Sequence, residues 1–65
     1  MDQNAKSKFL KIFANIPINV RNEIISVVDG KTISWNVAFL EINKETEIGE
    51  KILINMQLVG LLDSD

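Results

Sequence analysis

The sequence predicts an all-α domain, a small bundle of four short helices. Apolar residues recur at helical spacing along most of the chain. The 65 residues allow only one domain, which we expect to span 1–65 with frayed ends near residues 1–3 and 63–65. Turn-forming residues are sparse and divide the chain into four segments: they are Pro17, Asp29-Gly30, Gly49 and Gly60.

The first helix is predicted from about Asn4 to Asn15. Pro17 disfavours helical geometry at Ile16, so the helix has to end before it. Lysines lie outside the apolar stripe, which therefore faces a core. That stripe consists of Ala5, Phe9, Ile12, Phe13 and Ile16.

The second helix is predicted from Pro17 to Val28. Proline is suited to the first turn of a helix, where its missing N–H is not needed, and Gly30 would stop the helix. Polar residues cover the arc opposite a shared apolar face formed by Val20, Ile24, Val27 and Val28.

A β-hairpin is the alternative interpretation of the same region, and it would make the fold α+β. The β-branched residues 24–28 precede Asp29-Gly30, the signature of a two-residue turn between strands. In that hairpin Ser26 would oppose Ile33 and Val27 would oppose Thr32. Neither face would be cleanly apolar, and the helix is favoured for that reason.

The third and fourth helices each start at a residue that favours helix N-caps, Ser34 and Thr46. The third presents one stripe, formed by Trp35, Ala38, Phe39 and Ile42. The fourth carries Glu47 and Glu50 in its first turn, where the helix dipole favours acids, and it ends at Gly60. Its main face is formed by Ile48, Ile52, Leu53, Met56 and Val59.

The side chains that we expect to be most buried lie on these stripes in segments two to four. They are Val20, Ile24, Val27, Trp35, Phe39, Ile42, Ile48, Ile52, Met56 and Val59.

The composition argues against an enzyme. The chain has no histidine, cysteine or tyrosine, and so lacks the usual general base, the usual nucleophile and most soft-metal ligands. We therefore expect no catalytic residue, no metal and no cofactor. The four acids Glu41, Glu45, Glu47 and Glu50 match no calcium-loop spacing and are interpreted as a solvated rim.

A nucleic-acid-associated or transcription factor is the alternative function. Residues 34–59 form a predicted helix–turn–helix-like pair. The second helix of such a pair would meet DNA through its N-terminus, which here carries Glu47 and Glu50. These acids would face phosphates, so nucleic-acid binding is not expected.

Apolar residues outside the main stripes favour a non-enzymatic protein-interaction or adaptor module that self-associates. A four-helix monomer of this size cannot hide all of them, and a symmetric homodimer would cover the rest. The candidate interface residues are Val37, Leu40, Ile54, Leu58, Leu61 and Leu62.

A cytoplasmic location is the expectation from the same sequence. The first residues lack the apolar run of a signal peptide, and no apolar stretch approaches the ~20 residues that span a bilayer. The absence of cysteine is compatible with a reducing compartment.

A set of turn and core residues between 17 and 62 resembles a pattern in short uncharacterised proteins of thermophilic archaea. The resemblance implies no particular activity, cofactor or partner. It depends on Pro17, Arg21, Ile24-Ile25, Val28-Asp29-Gly30, Ser34-Trp35-Asn36, Thr46-Glu47-Ile48-Gly49, Ile52-Leu53 and Gly60.

Overall fold

A β-hairpin lies between the first and second α-helices in the computed structural model, which describes residues 1–62. The fold is α+β, and the prediction of an all-α bundle of four helices is wrong. The predicted second helix, from Pro17 to Val28, is replaced by a short 3-10 turn followed by the first strand of a hairpin. The elements are α1 (Gln3–Ala14), a 3-10 turn (Ile18–Val20), β1 (Ile24–Val28), β2 (Lys31–Ser34), α2 (Trp35–Asn43) and α3 (Glu47–Leu58).

The hairpin forms because its turn residues accept a backbone that most residues avoid. Asp29 and Gly30 have φ angles of +52° and +76°. A type I′ turn needs positive φ at both central positions, and its twist matches that of the flanking strands. Strands β1 and β2 pair antiparallel with Val27 opposite Thr32, the register of the hairpin alternative, and the register shifts between Ile24 and Ser26.

The polar residue that argued against the hairpin has a partner far away in the sequence. Ser26 lies on the inner face with Val28 and Ile33, which are both buried. Its hydroxyl donates a hydrogen bond to the side-chain oxygen of Asn55 on α3. Because a hydrogen-bonded hydroxyl costs little to bury, the inner face tolerates Ser26.

Side-chain caps fix the starts of the three α-helices. The predicted caps of α2 and α3 are confirmed, since Ser34 accepts from the N–H of Val37 and Thr46 from the N–H of Gly49. The predicted frayed start at residues 1–3 holds the cap of α1, because Asp2 accepts from the N–H groups of Asn4 and Ala5. The predicted frayed end at 63–65 lies outside the described residues.

The core draws on every α-helix and on the hairpin, and it differs from the predicted set. Ile42, Ile52 and Met56 are buried as predicted, whereas Ile24 and Val27 are more than half exposed because they belong to a hairpin and not to a helix. Val59 is also exposed, while Trp35, Phe39, Ile48 and Val20 are half-buried. The buried apolar residues are Ala5, Phe9, Phe13, Val28, Ile33, Ala38, Ile42, Ile52, Leu53, Met56 and Leu62.

Aromatic side chains join α1 to the start and middle of α2. The ring of Phe9 stacks on Trp35 with centroids 6.2 Å apart, and Phe13 stacks on Phe39 at 4.5 Å. The guanidinium of Arg21 lies 4.5 Å from the Phe13 ring centroid, a cation–π contact. Phe9 and Phe13 are therefore part of the core, although the predicted set left α1 out.

Helices α2 and α3 approach so closely that Gly49 has no room for a side chain. A Cβ atom at Gly49 would lie 2.9 Å from the backbone nitrogen of Ile42 and closer still to the carbonyl of Glu41. These neighbours are backbone atoms, which cannot rotate out of the way. The turn holds the two helices there, since the N–H of Thr46 donates to the Glu41 carbonyl at 3.1 Å.

The Gly49→Ala variant should be destabilised although alanine is the better helix former. Alanine gains about 1 kcal/mol in helix propensity, but forcing a methyl against backbone should cost more, with a net loss of about 2 kcal/mol. Chemical denaturation would measure this loss. Gln57→Ala, an exposed change in the same helix, is the control and should stay within about 0.5 kcal/mol. A Gly49→Ala protein more stable than wild type would contradict the close approach.

An ion pair ties α1 to the turn between α2 and α3. The Lys6 ammonium lies 2.6 Å from a carboxylate oxygen of Glu45 and also donates to the Asn43 carbonyl. The backbone of Glu45 has a φ of +53°, and the residue that pairs with Lys6 is therefore in the left-handed conformation. Hydrogen bonds from Lys6 and then Gln3, with the charge of Lys6, lower the pKa of Glu45 below its ordinary value.

The contribution of Glu45 to stability should depend on pH in one direction. Because folding lowers its pKa, the contribution is complete above the ordinary glutamate pKa and disappears as the pH falls through the lowered value. The difference in unfolding free energy between wild type and Glu45→Gln should therefore shrink from pH 7 to acid. Urea titrations at several pH values measure it. A difference that grows on acidification would contradict the ion pair.

Candidate protein-interaction surface

The predicted interface residues separate into three groups in the structure. Ile54 and Leu58 lie on the solvent side of α3, with 49% and 80% of their surface exposed. Val37 and Leu40 are exposed on α2, and Leu61 is exposed after α3. Leu62 is the exception, because it is buried.

Leu62 belongs to the core and not to an interface. Gly60 takes a φ of +78°, and the N–H of Leu61 then bonds to the Met56 carbonyl at 2.9 Å. This glycine-ended helix terminus turns the chain back on itself. Leu62 is buried by that turn and only 4% exposed, so it is removed from the candidate interface.

An open depression of about 320 Å³ lies between strand β1 and helix α3. We name it the β1–α3 groove. Its exposed aliphatic residues are Ile54 and Leu58 on α3 and Val27 on β1, and Val27 is 62% exposed. The other residues that line it are Val28, Asp29, Lys51 and Asn55. The structure therefore gathers two of the predicted interface residues with one that was predicted to be core.

Two polar contacts fix β1 against α3 along this groove. The ammonium of Lys51 lies 2.9 Å from a carboxylate oxygen of Asp29 at the hairpin turn. The hydrogen bond with Asp29, followed by its charge, raises the pKa of Lys51 above its ordinary value. The second contact is the Ser26–Asn55 hydrogen bond. Since both walls are held in place, the groove is preformed and its two charges neutralise each other.

Sequence reasoning missed Val27 because it assigned the residue to the apolar face of a helix. The pairing register of the hairpin shows on which face the Val27 side chain lies. Val27 opposes Thr32, which is exposed, so both side chains lie on the outer face of the hairpin. Val37 and Leu40 are not among the groove residues, and their exposed pair lies on another helix.

Two of the four acids that were predicted to form a solvated rim bond to neighbouring side chains, and the other two are exposed. Glu41 accepts a hydrogen bond from the Thr46 hydroxyl at 2.7 Å, and Glu45 pairs with Lys6. Glu47 and Glu50 are exposed in the first turn of α3. Within residues 1–62, no three acidic, histidine or cysteine side chains come together in an arrangement that could hold a metal ion.

The predicted helix–turn–helix-like pair corresponds to α2 and α3, which are joined by a short turn. Its second helix begins with the exposed acids Glu47 and Glu50, while Gly49 between them is buried against α2. The end of α3 that would approach DNA is therefore acidic, and the weakness of nucleic-acid binding stays a prediction.

Comparison with known proteins gave no relative. No protein-family model, curated protein or solved structure matches this chain, and the resemblance to short archaeal proteins is therefore not tested. In the part of the chain that the structure describes, no helix combines the length and the apolar character that crossing a bilayer requires.

Nucleic acid should form no discrete complex with this chain. A gel shift at moderate salt with mixed-sequence duplex DNA and with RNA is expected to show free probe only, because Glu47 and Glu50 would repel the phosphates. The double variant Glu47→Gln with Glu50→Gln removes both charges and tests whether their repulsion of phosphates is what prevents binding. Sub-micromolar binding by the wild type that weakens steeply with salt would overturn this expectation.

Proposed function

We propose that this chain is a non-enzymatic protein-interaction module that self-associates, with the β1–α3 groove as its contact surface. The single observation that carries the proposal is that the exposed residues Ile54 and Leu58 line one preformed depression whose β1 wall includes Val27, which is also exposed. Contiguous exposed apolar surface usually marks a contact site, whereas scattered exposed aliphatics do not.

The size of the domain supports self-association. A chain of 65 residues buries only ~60% of the surface that its unfolded form exposes, and its stability is correspondingly small. The sequence has no cysteine that could supply a disulfide. Association with a second copy stabilises the folded state by mass action. A symmetric dimer is the commonest closed arrangement for such a contact.

The charges of the groove are compatible with a contact between identical surfaces. Asp29 and Lys51 pair with each other, so neither would have to be buried without a partner. Ile54 and Leu58 lie about one helical turn apart, which presents them together to an approaching surface. The proposal includes a cytoplasmic location, with which a cysteine-free sequence is compatible.

Mass measurements across a concentration series would test the proposal, with two matched double variants. The wild type should show a mass that rises with concentration toward that of a dimer. Ile54→Glu with Leu58→Lys should be monomeric and keep its helicity, because both side chains are exposed in the monomer and each charge would be desolvated in the contact.

The control variant places the same two charges on the exposed pair of α2, as Val37→Glu with Leu40→Lys. It should associate like the wild type, since neither residue lines the groove. Sedimentation velocity gives the masses, and circular dichroism checks the helicity. A wild type that stays monomeric up to ~1 mM would end the proposal, because a contact that weak has no more than a few kcal/mol of binding free energy. A control variant that dissociates while the groove variant does not would move the contact to α2.

A further inference from the structure

We propose that two copies of this chain associate through the free edge of strand β1, forming one continuous four-stranded antiparallel sheet in the order β2–β1–β1–β2. The inference rests on the proposed self-association and specifies how it occurs. The observation that carries it is the juxtaposition of an open strand edge with the apolar groove beside it.

The edge of β1 is open because the hairpin register leaves Val27 unpaired on that side. The residues next to a two-residue turn, Val28 and Lys31, exchange both of their backbone hydrogen bonds. In an antiparallel pair the next couple, Val27 and Thr32, directs its N–H and C=O groups outward. Among residues 1–62, no other backbone or side-chain group bonds to the N–H or C=O of Val27.

Strand β1 lacks the charges and the proline that protect many exposed edges, and its register shift lies between Ile24 and Ser26, so that Val27 stays in regular pairing with Thr32. Natural edge strands are usually blocked by charged side chains, by proline or by inward-pointing charges. Residues 24–28 contain no charge, no proline and no glycine. Strand β2, in contrast, begins with the exposed Lys31. The unprotected edge is thus the one that lies beside α3.

Helix α3 would supply the side-chain contacts, while strand β1 would supply the main-chain hydrogen bonds. Ser26 and Asp29 of the hairpin both bond to α3, so this helix runs next to β1. A strand added at the β1 edge would lie along the groove and cover Ile54 and Leu58. Strand addition gains affinity from main-chain hydrogen bonds and specificity from such side-chain contacts.

The occupant that fits this edge is a second copy of the chain in antiparallel orientation. With a two-fold axis beside Val27, its N–H donates to the Val27 carbonyl of the second copy and the reciprocal bond forms by symmetry. The two Val27 side chains then become cross-strand neighbours on the outer face. No charged residue of β1 meets its own copy, and the two-stranded sheet, which is marginal alone, becomes four-stranded.

Amide hydrogen exchange of the wild-type protein tests the pairing without any substitution. Above the dissociation constant, a tenfold rise in protein concentration should slow exchange of the Val27 amide about threefold, because exchange proceeds through a monomer fraction that falls as the square root of concentration. The Thr32 amide, on the outer edge of β2, is the internal control and should exchange quickly at every concentration.

Two proline variants provide the matched mutational test. Val27→Pro removes the outward N–H of β1 at a position where an edge strand tolerates proline, and it should lower the dimer affinity at least tenfold. Thr32→Pro removes the equivalent N–H of β2 and should leave the affinity unchanged. If either variant fails to fold, the exchange of the wild type decides.

The outcomes separate this inference from the proposed function. A dimer whose Val27 amide is unprotected, or whose Thr32 amide is protected instead, overturns β1 pairing and leaves self-association standing. A wild type that is monomeric throughout the concentration series overturns both. Concentration-dependent protection at Val27, with Thr32 unprotected, supports the shared sheet.

Discussion

The close approach of α2 and α3 at Gly49 is the constraint on which the rest of the structure depends. The two helices meet backbone to backbone there, and the side chain of Ile42 is fully buried next to that contact. The same turn receives α1 through Lys6 and Glu45. Because α3 also holds the hairpin through Asn55 and Lys51, its position relative to α2 determines where β1 lies.

Apolar burial and ion pairs contribute in different ways to the structure of this small domain. The buried aliphatic and aromatic side chains provide the apolar burial that dominates folding. The described ion pairs, between Lys6 and Glu45 and between Lys51 and Asp29, are surface contacts that orient α1 and the hairpin turn. Exposed pairs of this kind contribute little free energy, so they serve chiefly to select geometry.

Local signals were sufficient to predict the three α-helices, and nonlocal ones determined the rest. Ser34 and Thr46 are caps whose function is readable within three residues. The sequence favours a helix over the alternative hairpin because Ser26 interrupts the apolar face of the hairpin, and the partner that satisfies Ser26 is 29 residues away. Ile54 could be predicted as a site residue because it lies off the main apolar stripe of its helix.

The β1 side of the site could not be predicted, because the strand was predicted to be part of a helix. Val27 could not be assigned to a surface while residues 17–28 were treated as helical. Leu62 shows the opposite error, since its burial follows from the chain reversal at Gly60 and not from any periodic pattern. A position in a turn says little about burial until the direction of the following residues is known.

The aromatic contact between α1 and α2 makes the fluorescence of this chain a measure of how its N-terminal helix packs. Trp35 is the single tryptophan of a protein that has no tyrosine, so it dominates the near-ultraviolet emission. Its indole stacks on Phe9 and does not line the β1–α3 groove. Emission therefore follows the docking of the N-terminal helix, whereas an event at the groove leaves the local environment of the indole unchanged.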